Sequence, residues 1–119
     1  MGVSRFEDLQ AWQKSKQLCV AIYRVTGQGR FARDFGLRDQ IQRAAVSVMS
    51  NIAEGFERNS RAEFARFVSI ARGSAGEVRS QLHLARELGY VEDEQGGELL
   101  AACSEVTRML VSLRKSLER

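Results

Sequence analysis

Residues 40–55 read QIQRAAVSVMSNIAEG. The spacing of side chains in this stretch limits the possible folds more than that in any other part of the chain. The apolar residues recur every three or four positions, as on the buried face of a helix: Ile41, Ala44, Ala45, Val48 and Ile52. A second stripe with the same spacing is polar, and its members are Gln40, Arg43, Ser47, Asn51 and Glu54. Two ordered stripes predict a helix that packs against a core and also meets a second partner.

The polar stripe has two interpretations. Solvent is the simpler partner, but a solvent-exposed helix face usually carries Lys and Glu, whereas Ser47 and Asn51 are weak helix formers. We therefore favour a hydrogen-bond network at a helix junction or a subunit contact over an exposed face.

The rest of the chain has helical periodicity on both sides of this stretch. A first helix is predicted from about Glu7 to Thr26, with two apolar stripes and hence contacts on more than one side. The segment 27–36, GQGRFARDFG, is predicted to be an ordered crossover loop anchored by Phe31 and Phe35. The second helix begins near residues 34–37 and ends at about Glu54, with Gly55 as its stop signal.

Two further helices follow. Ser60 and Glu63 have the spacing of a capping box, so a third helix is predicted from there to Leu88, ended by Gly89. An acid-rich turn, EDEQGGE, comes next, and the fourth helix carries a heptad pattern of Leu99, Cys103, Val106, Leu110, Leu113 and Leu117. The predicted fold is all-α, an antiparallel up-down four-helix bundle that forms a single domain over residues 1–119.

Composition excludes several classes of protein. The 119 residues are 44% hydrophobic and 28% charged with no proline, which is typical of a globular domain built from uninterrupted helices. No stretch reaches the roughly 20 apolar residues of a membrane span, and the first ten residues lack the apolar centre of a signal peptide. We expect a cytoplasmic protein without a membrane partner.

The charge is unevenly distributed and dominated by arginine. Of 18 cationic residues 15 are arginine, and residues 1–72 carry 12 cations against 7 acids, a surplus of five. Arginine pairs with phosphate in a two-pronged geometry, which suits nucleic-acid binding, although a preference for arginine also tracks genome composition and protein interfaces. The candidate phosphate contacts are Arg38, Arg43, Arg58, Arg61, Arg66 and Arg72.

Nothing in the sequence indicates catalysis. Cys19 and Cys103 lie far apart among apolar residues, and His83 is the only imidazole, so we expect buried thiols, a surface histidine and no metal or cofactor. The glutamates lack the Glu-x-x-His pattern of di-iron bundles, and neither Gly-rich segment has the features of a phosphate loop. We predict that the protein is not an enzyme.

Two glycines mark the third helix as a contact surface. Gly73 and Gly76 each cost about 1 kcal/mol relative to alanine inside a helix, so some contact must offset them. Close approach of another subunit and crowding inside the bundle are the two alternatives. The full set predicted for an oligomer interface or polar network is Gln40, Arg43, Ser47, Asn51, Glu54, Glu63, Ile70, Gly73, Ser74 and Glu77.

Several motifs resemble those of a known family. They are F-E-x-L-x-x-W at residues 6–12, the run from Phe35 that ends N-I-A-E-G at Gly55, R-x-S-x-x-E-F-x-R-F at 58–67, I-A-x-G-S at 70–74 and L-G-Y at 88–90. Together they are similar to the 23S rRNA intervening-sequence proteins, small four-helix bundles of which some are encoded inside bacterial 23S rRNA genes. The resemblance implies a homopentamer. The family is also similar in fold to accessory proteins of diversity-generating retroelements, which bind RNA.

Two functional hypotheses follow. In the first, the chain is a non-enzymatic homo-oligomer, pentameric as the resemblance implies, that binds RNA as an accessory protein through the six arginines. In the second, the assembly is a scaffold or adaptor for another protein, and the arginines form salt bridges between subunits.

Overall fold

A computed structural model describes residues 2–118, and the regular structure in that range is entirely helical. A 3-10 turn, Phe6–Asp8, precedes five α-helices: α1 Gln10–Thr26, α2 Gly29–Arg33, α3 Phe35–Glu57, α4 Arg61–Glu87 and α5 Asp93–Leu117. The predicted all-α class is confirmed. The short helix α2 is an addition, since sequence predicted a loop there.

The four long helices pack side by side. Helix α3 packs against α4, α4 against α5, and α1 against both α3 and α5. Gln40 contacts Gln81 and Ser47 contacts Ser74. Higher residue numbers on α3 therefore face lower residue numbers on α4, so the two helices are antiparallel. This packing is compatible with the predicted bundle, and no helix within residues 2–118 combines the length and apolar character needed to cross a membrane.

The core draws on every long helix. Ile22 of α1, Val48 of α3, Leu82 of α4 and Leu110 of α5 are all fully buried. The predicted apolar stripe of α3 is buried, and so is the heptad of α5 except for Leu113, which is half-buried. Burying such a side chain contributes about 1.5–3 kcal/mol, so this shared core holds the helices together.

Phe31 and Phe35 have opposite environments. Phe31 is fully buried and its ring centroid lies 5.3 Å from that of Tyr90, whose hydroxyl donates to Asp34 Oδ2 at 2.9 Å. Phe35 is 63% exposed, and the guanidinium of Arg38 lies over its ring. The prediction of two anchors is therefore wrong for Phe35. Helix α2 turns Phe31 inward, whereas Phe35 begins the next helix on its outer side.

Both ends of α4 agree with the sequence signals. The Ser60 hydroxyl accepts a hydrogen bond from the Glu63 amide at 3.2 Å, which satisfies a free N–H of the first turn. At the other end the Tyr90 amide donates to the Ala85 carbonyl, and Gly89 has φ 75°, a conformation that glycine adopts without strain. The predicted Ser60 cap and the stop signal are confirmed, but the Glu63 carboxylate pairs with Arg58 and Arg66 instead of completing the capping box.

Gly55 does not end α3, as was predicted, but lies inside it. The helix continues to Glu57, and Gly55 is buried where α3 meets α4. A Cβ atom at this position would lie 2.6 Å from the Cβ of Phe67 and 3.0 Å from Cδ1 of Phe64. The glycine is therefore needed for close approach of two helices rather than for a turn.

Two other predicted boundaries are wrong. The acid-rich segment is not all turn, because α5 begins at Asp93, where carboxylates of the first turn favour the positive end of the helix dipole. At the N-terminus, Leu9 is extended and separates the 3-10 turn from α1, so α1 begins at Gln10 rather than near Glu7.

We predict that Gly55→Ala lowers the free energy of unfolding by about 1–3 kcal/mol, because the added methyl group overpacks the contact with Phe67. Urea unfolding followed by circular dichroism measures the change. Gly36→Ala is the matched control, since a Cβ there comes no closer than 3.8 Å to Asp34. Equal stability of wild-type and Gly55→Ala proteins would contradict the close packing of α3 and α4.

Candidate interaction surfaces on α3 and α4

Small polar residues join α3 to α4 on the side away from the core centre. The Ser47 and Ser74 hydroxyls lie 2.8 Å apart, and Asn51 Nδ2 donates to both the carbonyl and the hydroxyl of Ser47, at 2.8 and 2.9 Å. Ser74 is buried. We call Gln40, Ser47, Asn51, Ser74 and Gln81 the α3–α4 seam. Its hydrogen bonds run within one chain, so this part of the polar stripe orders a helix junction.

The outer edge of the seam is a shallow pocket. Gln81 Nε2 donates to Oε1 of Gln40, one of the residues that line this pocket, at 3.2 Å. Its lining consists of Gln40, Arg43, Ala44, Ser47 and Glu77. Within residues 2–118, neither Arg43 nor Glu77 forms an ion pair, and both are exposed. These two members of the predicted set face outward and are available to a partner.

The middle of α4 has an open outer surface. Ile70 is 41% exposed, and a Cβ atom added at Gly73 or Gly76 would meet nothing within 4 Å. Crowding inside the bundle, one of the two explanations for these glycines, is therefore wrong. Glycine inside a helix lowers its stability, and no close contact within residues 2–118 offsets this loss at Gly73 or Gly76.

Glu54 and Glu63 belong to an ion-pair cluster where α3 passes into α4. Arg58 lies 2.8 Å from Glu54 and 3.9 Å from Glu63, and Arg66 lies 3.1 Å from Glu63. The hydrogen bond and charge of Arg66 lower the pKa of Glu63, and the same contact raises the pKa of Arg66. Both guanidinium groups also lie against the ring of Phe67, at 4.9 and 4.6 Å from its centroid. Two acids and two arginines thus neutralise one another.

The six arginines predicted to contact phosphate do not form one surface. Besides Arg58 and Arg66, Arg38 pairs with Asp39 at 3.0 Å and Arg61 donates to the Ser116 carbonyl at 2.8 Å. Those four are engaged in contacts with their own chain. Arg43 lies at the seam, and Arg72 lies on the other side of α4, facing α5.

Arg72 belongs to a small basic patch that the sequence prediction missed. It shares a pocket between α4 and α5 with Arg114 and Lys115, and Glu118 is the pocket's acidic member, 3.7 Å from Arg114. We call Arg72, Arg114 and Lys115 the Arg72 patch. Arg114 and Lys115 are in the last turn of α5, remote from Arg72 in sequence, so only the packing of α4 on α5 brings them together.

Comparison with known proteins identifies the family. The model of the family described as 23S rRNA-intervening sequence protein matches residues 7–112. The chain belongs to this family. Among solved structures, it is similar to the 1.70 Å crystal structure of a protein with unknown function from the S23 ribosomal protein family of Bacteroides thetaiotaomicron VPI-5482. The TM-score is 0.81 with 28% identity, over 88% of this chain and 98% of that one. No curated protein matches.

This member of the intervening-sequence family also has an open face on α1. Val20 is 40% and Tyr23 46% exposed, and the cations Lys16 and Arg24 lie beside them. The sequence prediction did not select these residues as a site, although the two apolar stripes on the first helix indicated contacts on more than one side. Leu84, 49% exposed on α4, was missed in the same way.

The cysteines have the environments predicted from their apolar neighbours. Cys19 and Cys103 are both free and buried, and burial raises the pKa of each, that of Cys103 to about 11. His83 is exposed, as predicted. Within residues 2–118 there is no group of three His, Cys, Asp or Glu side chains suited to hold a metal ion.

We predict that the Cys103 thiol makes stability fall above pH 9. Its pKa is about 11 in the folded protein against 9.0 for an ordinary thiol, so the folded state keeps the proton longer. The stabilising contribution of the protonated thiol is fully present below pH 9. It is lost as pH rises towards 11, which lowers the free energy of unfolding by about 1 kcal/mol per pH unit. Urea unfolding of wild type and Cys103→Ala at pH 8, 9 and 10 measures this. Identical pH dependence in the two proteins would contradict it.

Proposed function

We propose that this chain is a non-enzymatic subunit of a homo-oligomer and that the outer face of α4 forms one of its subunit contacts. The observation that carries the proposal is the open environment of Gly73 and Gly76 in the middle of a long helix. Each glycine costs about 1 kcal/mol, and within one protomer nothing compensates for that cost. Close approach of a second subunit supplies the compensation, because a helix face without side chains lets another backbone come near.

Exposed apolar surface on the same face supports the proposal. Ile70 lies one turn before Gly73, and Glu77 lies one turn after it. An exposed isoleucine beside a side-chain-free surface is typical of a contact that is buried on assembly. The family resemblance implies a closed pentamer, and we propose that stoichiometry for this chain.

The Arg72 patch favours RNA binding as a second function of the same assembly. Arg72 forms no ion pair within residues 2–118, and it lies near two further cations at the α4–α5 edge. Such a patch suits a phosphate backbone, whose binding releases counterions and weakens with salt. Arg58 and Arg66, in contrast, would have to exchange their carboxylate partners for phosphate. If no RNA binds, the alternative is a scaffold for another protein.

The oligomer is tested by light scattering. We expect the wild-type protein to assemble at micromolar concentration and Gly73→Leu to dissociate into folded monomers, because the larger side chain blocks close approach. Ala101→Leu is the control, since it places the same leucine side chain at an exposed position on α5. A monomeric wild type would overturn the oligomer, and an unchanged mass for Gly73→Leu would overturn the role of this face.

RNA binding is tested with structured fragments of 23S rRNA across a salt series. We expect binding that weakens steeply with salt, and the combined change Arg72→Gln and Lys115→Gln should lower the slope of log K against log salt by about 2. Arg58→Gln with Arg66→Gln removes the same charge from arginines that are already paired, so a smaller effect is expected. Absence of binding at low salt, or binding unaffected by salt, would overturn this function.

A further inference from the structure

Helix α1 carries an apolar groove with a basic rim. The groove is lined by Lys16, Cys19, Val20, Tyr23, Arg24 and Met49, and we call these residues the α1 groove. Its two charged residues are both cations. Lys16 lies over the ring of Trp12, and within residues 2–118 neither Lys16 nor Arg24 forms an ion pair. A partner for this groove needs apolar side chains and carboxylates.

The outer face of α4 also carries exposed apolar side chains, but its charges have the opposite sign. Outward residues recur on it at helical spacing beyond the ion pair of Arg66 with Glu63, and we call the following six the α4 stripe: Ile70, Gly73, Glu77, Leu84, Glu87 and Leu88. The three apolar members are between 41% and 49% exposed. The two charged members are both acids, and neither has an ion-pair partner within residues 2–118. The α4 stripe therefore offers what the α1 groove lacks.

The charges of the two surfaces also agree in spacing. Lys16 and Arg24 are eight residues apart, which is about 12 Å along a helix, and Glu77 and Glu87 are ten residues apart, about 15 Å. Within one protomer the two surfaces cannot meet, because α1 and α4 lie on opposite sides of the bundle, each packed against α3 and α5. Only another copy of the chain can bring them together.

We propose that the α1 groove of one subunit receives the α4 stripe of the next, so that the subunits assemble head to tail. This inference rests on the proposed oligomer and adds its second surface. A closed ring with an odd number of subunits requires two different complementary patches, because an isologous contact pairs subunits by twofold symmetry. The open Gly73 gives α1 of the neighbour room to approach, and Glu77 and Glu87 meet Lys16 and Arg24.

Charge reversal tests the pairing of these surfaces. Lys16→Glu with Arg24→Glu should weaken assembly at least tenfold, and Glu77→Lys with Glu87→Lys should do the same, since like charges then face each other. All four changes in one chain should restore assembly, because opposite charges then face each other again at every contact of the ring. The control is Arg33→Glu with Arg108→Glu, which changes net charge equally at exposed positions outside both surfaces.

Light scattering at low salt gives the mass, and the fluorescence of Trp12, the only tryptophan, reports on the groove edge. A wild-type oligomer whose mass is unaffected by Lys16→Glu with Arg24→Glu would overturn the head-to-tail pairing and leave the oligomer intact. Loss of assembly in both double variants without rescue in the fourfold variant would overturn the pairing of these charges. A monomeric wild type would instead overturn the oligomer itself.

Discussion

The close approach of α3 to α4 is the constraint on which the rest of the structure depends. Gly55 leaves room for Phe67, and further along the seam two hydroxyls, those of Ser47 and Ser74, take the place of larger apolar side chains. Small residues allow the backbones to come near, and the buried hydroxyl of Ser74 finds its partner in the half-buried hydroxyl of Ser47. With these two helices fixed, α1 and α5 complete the core on their inner side.

That arrangement determines which surfaces remain open. The core takes one face of α4, so the opposite face points outward, and a polar surface would be expected there. The α4 stripe instead combines exposed apolar side chains with glycine and unpaired acids, while the α1 groove combines exposed apolar side chains with unpaired cations. A monomer gains nothing from either surface, whereas the proposed assembly would bury both.

The same packing divides the arginines by role. Where α3 passes into α4, Arg58 and Arg66 are held between carboxylates and the ring of Phe67, so their charge is already compensated. Arg72, one and a half turns further along α4, faces α5 and joins two cations from the end of that helix. An arginine-rich composition therefore divides into a structural group and a smaller patch suited to an anionic partner.

Periodicity and short signals in the sequence were sufficient for the all-α class, the buried stripes, the Ser60 cap, the Gly89 stop and the family, because each depends on residues close together along the chain. Distances between elements remote in sequence decided the rest. Only the packing of the helices shows that Phe31 is buried and Phe35 is exposed. It also shows that Gly55 lies at a helix contact and does not end α3. These distances also determined which arginines are paired and which faces stay open, since a helical pattern specifies a face but not its neighbour.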